Sequence, residues 1–355
     1  MTGRRRTGAG LGSLTAAIGA AIVAAGLAGC ASGAGTSGGP RPSAQTALPP
    51  AAVPLAPIAD YRQAVTIAVA DHLTVWIEAD MVKRWEQGPA SFAAAVRRVA
   101  ALAALPGVAG IKIADELGYR DGMNSATKIR DFLTQTAAAL NAAAPGKLLL
   151  VDMLVPELGC LPGHQPAGSG AADCATRARA EYPQLSLPDM DTYLRLRMID
   201  VLDLSTDLQA DSTYQSWGTT ADAAQAAGWR EVNRRGWPAL VHMQARKALA
   251  HPGSFPGSSS QAAADVREFV GIPLAEGARA VDIWAWHQEY DGQMYQLMDP
   301  GMRPNALWAQ LERLRRAGDV LFTHMSPHSV ESGVRSDLAK ISTVFTDIFL
   351  PAGTG

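Results

Sequence analysis

Residues 110–119 read GIKIADELGY, a run that begins as a buried β-strand and ends in two adjacent carboxylates, Asp115 and Glu116. An unpaired charge inside a protein is costly, so the pair belongs at a strand end, where a site can be built. Outward from this run, short β-like segments alternate with longer Ala-rich ones. Strands are expected at LTVWIEA (73–79), VAGIKIA (108–114), KLLLVDM (147–153), IDVLDLS (199–205), ALVHMQ (239–244) and AVDIWAW (280–286). Helices are expected near 89–104, 125–143, 188–197, 220–235, 260–276 and 304–317. Such alternation implies parallel strands with helices packed outside them.

No Gly-rich phosphate loop follows the first strand, which favours a closed (β/α)8 TIM-type barrel, with an irregular or incomplete form left open, over an open dinucleotide-binding sheet. Candidates for the two missing strands are VTIAVA (65–70) and DVLFTH (319–324). The first lies only two residues from its successor, too close for a parallel crossover, and reads as a hairpin strand or an N-terminal cap. A last helix is expected near 333–348, closing the barrel bottom or docking on its side.

Ahead of the barrel, residues 1–29 carry three arginines, an apolar stretch and small residues, the pattern of an export signal. The tetrapeptide LAGC, Leu27 to Cys30, resembles the lipobox of bacterial lipoproteins, which implies lipidation of Cys30, a membrane anchor and an exported protein facing the extracellular side. The export route stays open, and an ordinary secretory peptide or a retained anchor helix is the alternative. Residues 30–57 are Ala, Gly, Ser, Thr and Pro with little to bury, so they read as a flexible tether to a single domain spanning 58–355.

The 355-residue chain has 48% hydrophobic residues, a globular composition. Without the three leader arginines, 28 basic residues face 33 acidic ones, a net charge of −5 that argues against a nucleic-acid partner. Cys160 and Cys174 close a short Gly/Pro-rich loop and are expected to form a disulfide outside the cytoplasm. His164 between them is weak evidence for zinc.

Residues two apart on a strand share a face. Polar side chains therefore gather toward the strand C-termini: Glu78 on the first strand, Lys112 on the second, Asp152 and Asp203 on the next two. His242 and Gln244 follow on the fifth, and Asp282, Trp284 and Trp286 on the sixth, with His287 just beyond. Barrels of this class place active sites at that end. Each group also has a purely structural reading: Glu78 and Lys112 as an interior ion pair, Asp203 as a cap, the tryptophans as packing, His242 as a core histidine.

A polar cup with an aromatic wall suits carbohydrate. The run VDIWAWHQEYDGQMYQLMDPGMRPNALWAQLERL resembles the last strand and helix of the large clan of retaining (β/α)8 glycoside hydrolases, with Pro304, Leu307, Trp308 and Leu311 matching the helix. IADELGY looks like that clan's fourth-strand end. The resemblance implies Glu116 as the acid/base, with Asp115 its neighbour. It departs where the penultimate strand offers His242 and Gln244 in place of a nucleophilic glutamate. Asp152, on the adjacent strand, is then the first choice for the second carboxylate, ahead of Glu78, Asp203 and Glu157. The expected activity is hydrolysis of an oligo- or polysaccharide, without cofactor or metal. A non-catalytic glycan-binding lipoprotein is the alternative, and solute capture for a transporter a third. No GxSxG elbow, HExxH or close histidine pair supports other hydrolytic chemistry.

Overall fold

The computed structural model describes residues 58–119, 121–162, 169–243 and 249–352. The leader, Cys30, the tether, His164 and Gln244 lie outside the described residues. Among the described residues no helix is long and apolar enough to cross a membrane.

Eight parallel strands close into a barrel: β1 Thr74–Glu78, β2 Val108–Lys112, β3 Leu148–Leu154, β4 Val201–Ser205, β5 Ala239–Met243, β6 Val281–Ile283, β7 Leu321–His324 and β8 Asp347–Pro351. The fold class expected from the strand–helix alternation is thus present, as a full ring of eight.

Two elements differ from expectation. VTIAVA is the second half of a helix, Ile58–Ala70, whose Tyr61, Ala64, Val65 and Ala68 form one buried face. That i, i+3, i+4, i+7 spacing outweighs the strand preference of its β-branched residues. The last helix stops at Ile341, and residues 347–351 form the strand that closes the ring, pairing Thr74 with Asp347 and Glu78 with Pro351. GIKIADELGY therefore lies on the second strand of eight.

The six helices expected between the strands are present, joined by others that were not expected, among them Ser169–Glu181, and several start at a side-chain cap that satisfies an otherwise orphan amide. Ser125 accepts from Lys128 N–H, Thr220 from Ala223, and Asn305 from Trp308. Above the ring, His251–Pro252, His287–Tyr290 and Gln293–Gln296 form a small antiparallel sheet. Its hairpin turns at Asp291–Gly292, both left-handed as a tight two-residue turn requires.

Strand alternation divides the molecule into two cores. Outward-facing Val75, Ile77, Ile111, Val151, Leu202, Val241, Ile283 and Ile348 pack under the helices. Inward-facing Trp76, Leu150, Leu240, Ala280, Phe322 and Phe349 fill the barrel floor as a separate apolar layer. Trp76 fits only because β2 has a glycine beside it: a Cβ on Gly110 would stand 2.3 Å from the indole ring. The Trp76 indole N–H donates to Asp347 Oδ1 at 3.1 Å.

Candidate active site

One pleat above that floor, the same inward-facing positions turn from apolar to charged. Glu78 is register partner to Lys112, Asp152 to Asp203, and His242 to Asp282, with His324 on β7. Phe349 closes the layer from below, its ring centroid 5.1 Å from Lys112 Nζ and 5.0 Å from the His324 ring.

Lys112, fully buried, is the hub. Its ammonium lies 3.4 Å from Glu78, Asp115 and Asp203, 3.6 Å from Asp152 and 3.8 Å from Asp282. It is in ion-pair range of five carboxylates yet hydrogen-bonds to none. Burial alone would push this amine down, but the carboxylates, Asp152 foremost, outweigh burial and hold it well above the ordinary lysine range. A lysine so charged is a fixed positive centre rather than an amine nucleophile.

The two histidines flank Asp282 on opposite sides. His324 Nδ1 is 3.0 Å from Glu78 Oε2 and its Nε2 is 2.8 Å from Asp282 Oδ2. His242 Nδ1 is 3.1 Å from the same Asp282 oxygen and 3.3 Å from Asp203, while its Nε2 faces Asp152 at 3.4 Å. Burial opposes both imidazolium charges, and the adjacent carboxylates overcome it: His242 is raised well above its ordinary value, and His324, held by Asp282 and Glu78, is pushed up to about 10.

The carboxylates split in the opposite sense. Burial raises Asp152, and raises Asp203 to about 6 with the neighbouring Asp282 charge adding to it. On Asp282 and Glu78 burial is overcome, by His324 first in each case, and both are lowered. Pairs of acids driven apart in this way mark a site equipped for proton transfer.

Of the residues expected from sequence, the barrel brings Glu78, Asp115, Asp152, Asp203 and His242 together. Glu116 is not one of the Lys112 partners; it follows β2 in a left-handed turn at φ 45°. Trp286 is core, its N–H donating to Asp337 Oδ2 at 2.8 Å and its ring edge-on to Trp308. Trp284 packs against Tyr290 and Tyr295 of the small sheet, and His287 takes its carbonyl to the Ser329 hydroxyl at 2.9 Å. Cys160 and Cys174 are joined by a disulfide. Sequence reasoning placed Asp282 among the strand-end polar groups without a role and left His324 out; the available signal was that DVLFTH ends in histidine at the level where ALVHM carries His242.

No family model matches the chain, and no curated protein matches it. Among solved structures it is similar to a putative phosphonomutase from Burkholderia cenocepacia J2315, at 14% identity and TM-score 0.38 over 83% of this chain and 91% of that one. It is also similar to 2,3-dimethylmalate lyase, a PEP mutase/isocitrate lyase superfamily member, at 12% identity and TM-score 0.35 over 83% and 80%. A third is pyruvate carboxylase from Rhizobium etli, at 10% identity and TM-score 0.39, where the match covers 82% of this chain but 24% of that one. The chain thus spans about a quarter of that enzyme's length.

The glycoside-hydrolase expectation is overturned. Within this chain, the helix at 58–70 and the closing strand at 347–351 move Glu116 from strand four to strand two and make 281–283 the sixth strand, not the last. Asp152, expected as the second carboxylate, is sealed beneath the mouth with Lys112 and His242. The glycan-binding alternative is corrected with it: of the two tryptophans expected as its wall, Trp286 is in the core and Trp284 packs against Tyr290 and Tyr295.

Proposed function

We propose that this barrel is an enzyme that moves a proton to or from a small polar substrate seated over Lys112, with Glu78 as the group that exchanges the proton. The observation that carries this reading is the Glu78–His324–Asp282 chain. A carboxylate with 17% of its side chain accessible is anchored by an imidazolium that is itself anchored by a buried carboxylate, with contacts of 3.0 and 2.8 Å. Glu78 is thereby held ionised at the mouth, ready to accept a proton, and His324 fixes its direction. Lys112, preorganised and desolvated, supplies positive charge where an oxygen of the substrate becomes negative, which is worth more in a buried site than in water. The ring carries more carboxylates than cations, so it suits a small neutral or cationic molecule bearing hydroxyl or carbonyl oxygens. The Cys160–Cys174 disulfide supports placing this chemistry outside the cytoplasm.

The test is proton NMR in D2O on pooled small hydroxy and oxo compounds, polyols and amines. Wild type is expected to exchange or consume at least one compound, and Glu78→Gln to slow that reaction by about 100-fold or more. Equal rates for the two proteins, or no reaction by folded wild type across the pools, would overturn the assignment.

A further inference from the structure

We infer that Asp115, Asp152 and His242, around the Lys112 hub, form a site for one divalent first-row metal ion. Each offers one ligand atom, and the three atoms lie within 4.8 Å of one another. The His242 Nε2 to Asp152 Oδ2 separation is 3.4 Å, which matches the roughly 3.4 Å between two ligands each about 2.1 Å from a tetrahedral ion.

The second observation is independent of that spacing. Asp152 is completely buried, and neither of its carboxylate oxygens has a hydrogen-bond partner among the described residues. Lone pairs sealed in this way call for a ligand. The far side of the imidazole is also prepared: His242 Nδ1 points at Asp282 and Asp203, 3.1 and 3.3 Å away. A carboxylate behind the ring is the arrangement that fixes the tautomer and orientation of a metal-bound histidine. Asp115, 61% of whose side chain is accessible, gives the ion its way in. The deeper triad of Asp203, His242 and Asp282 is buried throughout and uses the nitrogen already held by Asp282.

Charge favours the ion as well. Glu78, Asp115, Asp152, Asp203 and Asp282 outnumber Lys112, His242 and His324, so the fully ionised ring is negative. Lys112, in ion-pair range of both Asp115 and Asp152, holds them in place when no metal is bound. Binding forms a metal–Nε2 bond and releases the Nε2 proton to solvent. An imidazole ligand selects an ion of the Mn2+ to Zn2+ series over Mg2+ or Ca2+. The ligands come from three separate strand ends, which is why no spaced motif shows in the sequence.

This inference rests on the proposed function only in placing the ion beside that site, and it is tested without reference to activity. The full chain, stripped with a chelator, is titrated with Co2+ and followed by visible absorption and calorimetry. One ion per chain is expected, with binding at least about 100-fold weaker in Asp115→Asn and in His242→Gln, and unchanged in Glu78→Gln and in the distant surface variant Asp222→Asn. Because Asp115 is exposed, its variant reads the site without risk to folding. Absence of stoichiometric Co2+ binding by folded wild type, or equal affinity in Asp115→Asn, overturns the site. Normal Co2+ binding by a Glu78→Gln protein that has lost proton exchange supports both assignments separately.

Discussion

His324 Nε2 lies 2.8 Å from Asp282 Oδ2 inside the barrel, a contact that joins the sixth and seventh strands at the level of the charged ring. The imidazolium is held in the folded state at about 10, against an ordinary value near 6.5. A histidine with a raised folded-state value contributes its full stabilisation below pH 6.5 and loses it as pH rises toward 10. Wild type is therefore expected to lose stability between those limits, and His324→Gln to show a flatter profile. Urea unfolding at pH 6.5 and 9.5 for both proteins measures the difference; identical slopes would count against the paired imidazolium.

Lys112→Met removes the hub while leaving five carboxylates around it. Losing one partner of a buried ionic cluster typically costs about 3–5 kcal/mol. The uncompensated acids then favour protonation, so the deficit shrinks as pH falls. Denaturant midpoints at neutral and mildly acidic pH check both the size of the effect and its sign.

Gly110→Ala places a methyl 2.3 Å from the Trp76 ring and 2.6 Å from the Leu148 carbonyl oxygen. Both neighbours are fixed, one by the barrel floor and one as backbone. Overpacking of this kind costs about 1–3 kcal/mol. Thermal unfolding reports it, and relief by the double variant Gly110→Ala with Trp76→Phe would identify the indole as the obstacle.

The Cys160–Cys174 bridge closes a short loop, with the two residues 14 apart. Loop-closure entropy gives such a bridge about 3 kcal/mol. Reduction, or the paired change to serine, is expected to lower the urea midpoint by a corresponding amount while leaving the barrel folded.

Most of the barrel was legible because inward and outward positions alternate over short runs such as KLLLVDM and IDVLDLS. The closing strand was not. DIFLP has four buried residues in a row, as a strand between two packed faces does, and directly after a helical pattern nothing in its spacing separates it from that helix. At the site, Glu78, Asp152, Asp203 and His242 stood out as polar groups in apolar runs. Lys112 was seen only as the partner of Glu78, since a lysine inside a strand looks the same whether it meets one acid or five. The role given to Glu116 failed on strand counting, which depends on the ends of the domain, where local patterns were weakest.

The pairing of Thr74 with Asp347 carries a consequence for biogenesis. The first and last strands of the ring are neighbours, and Glu78 meets His324 across 246 residues of chain. Contacts this distant in sequence form slowly. Until the closing strand emerges, β1 and β7 present raw edges and the charged ring lacks Phe349 in the floor beneath it. Nascent chains thus carry an open crescent whose unpaired edges are prone to association until the C-terminal segment arrives.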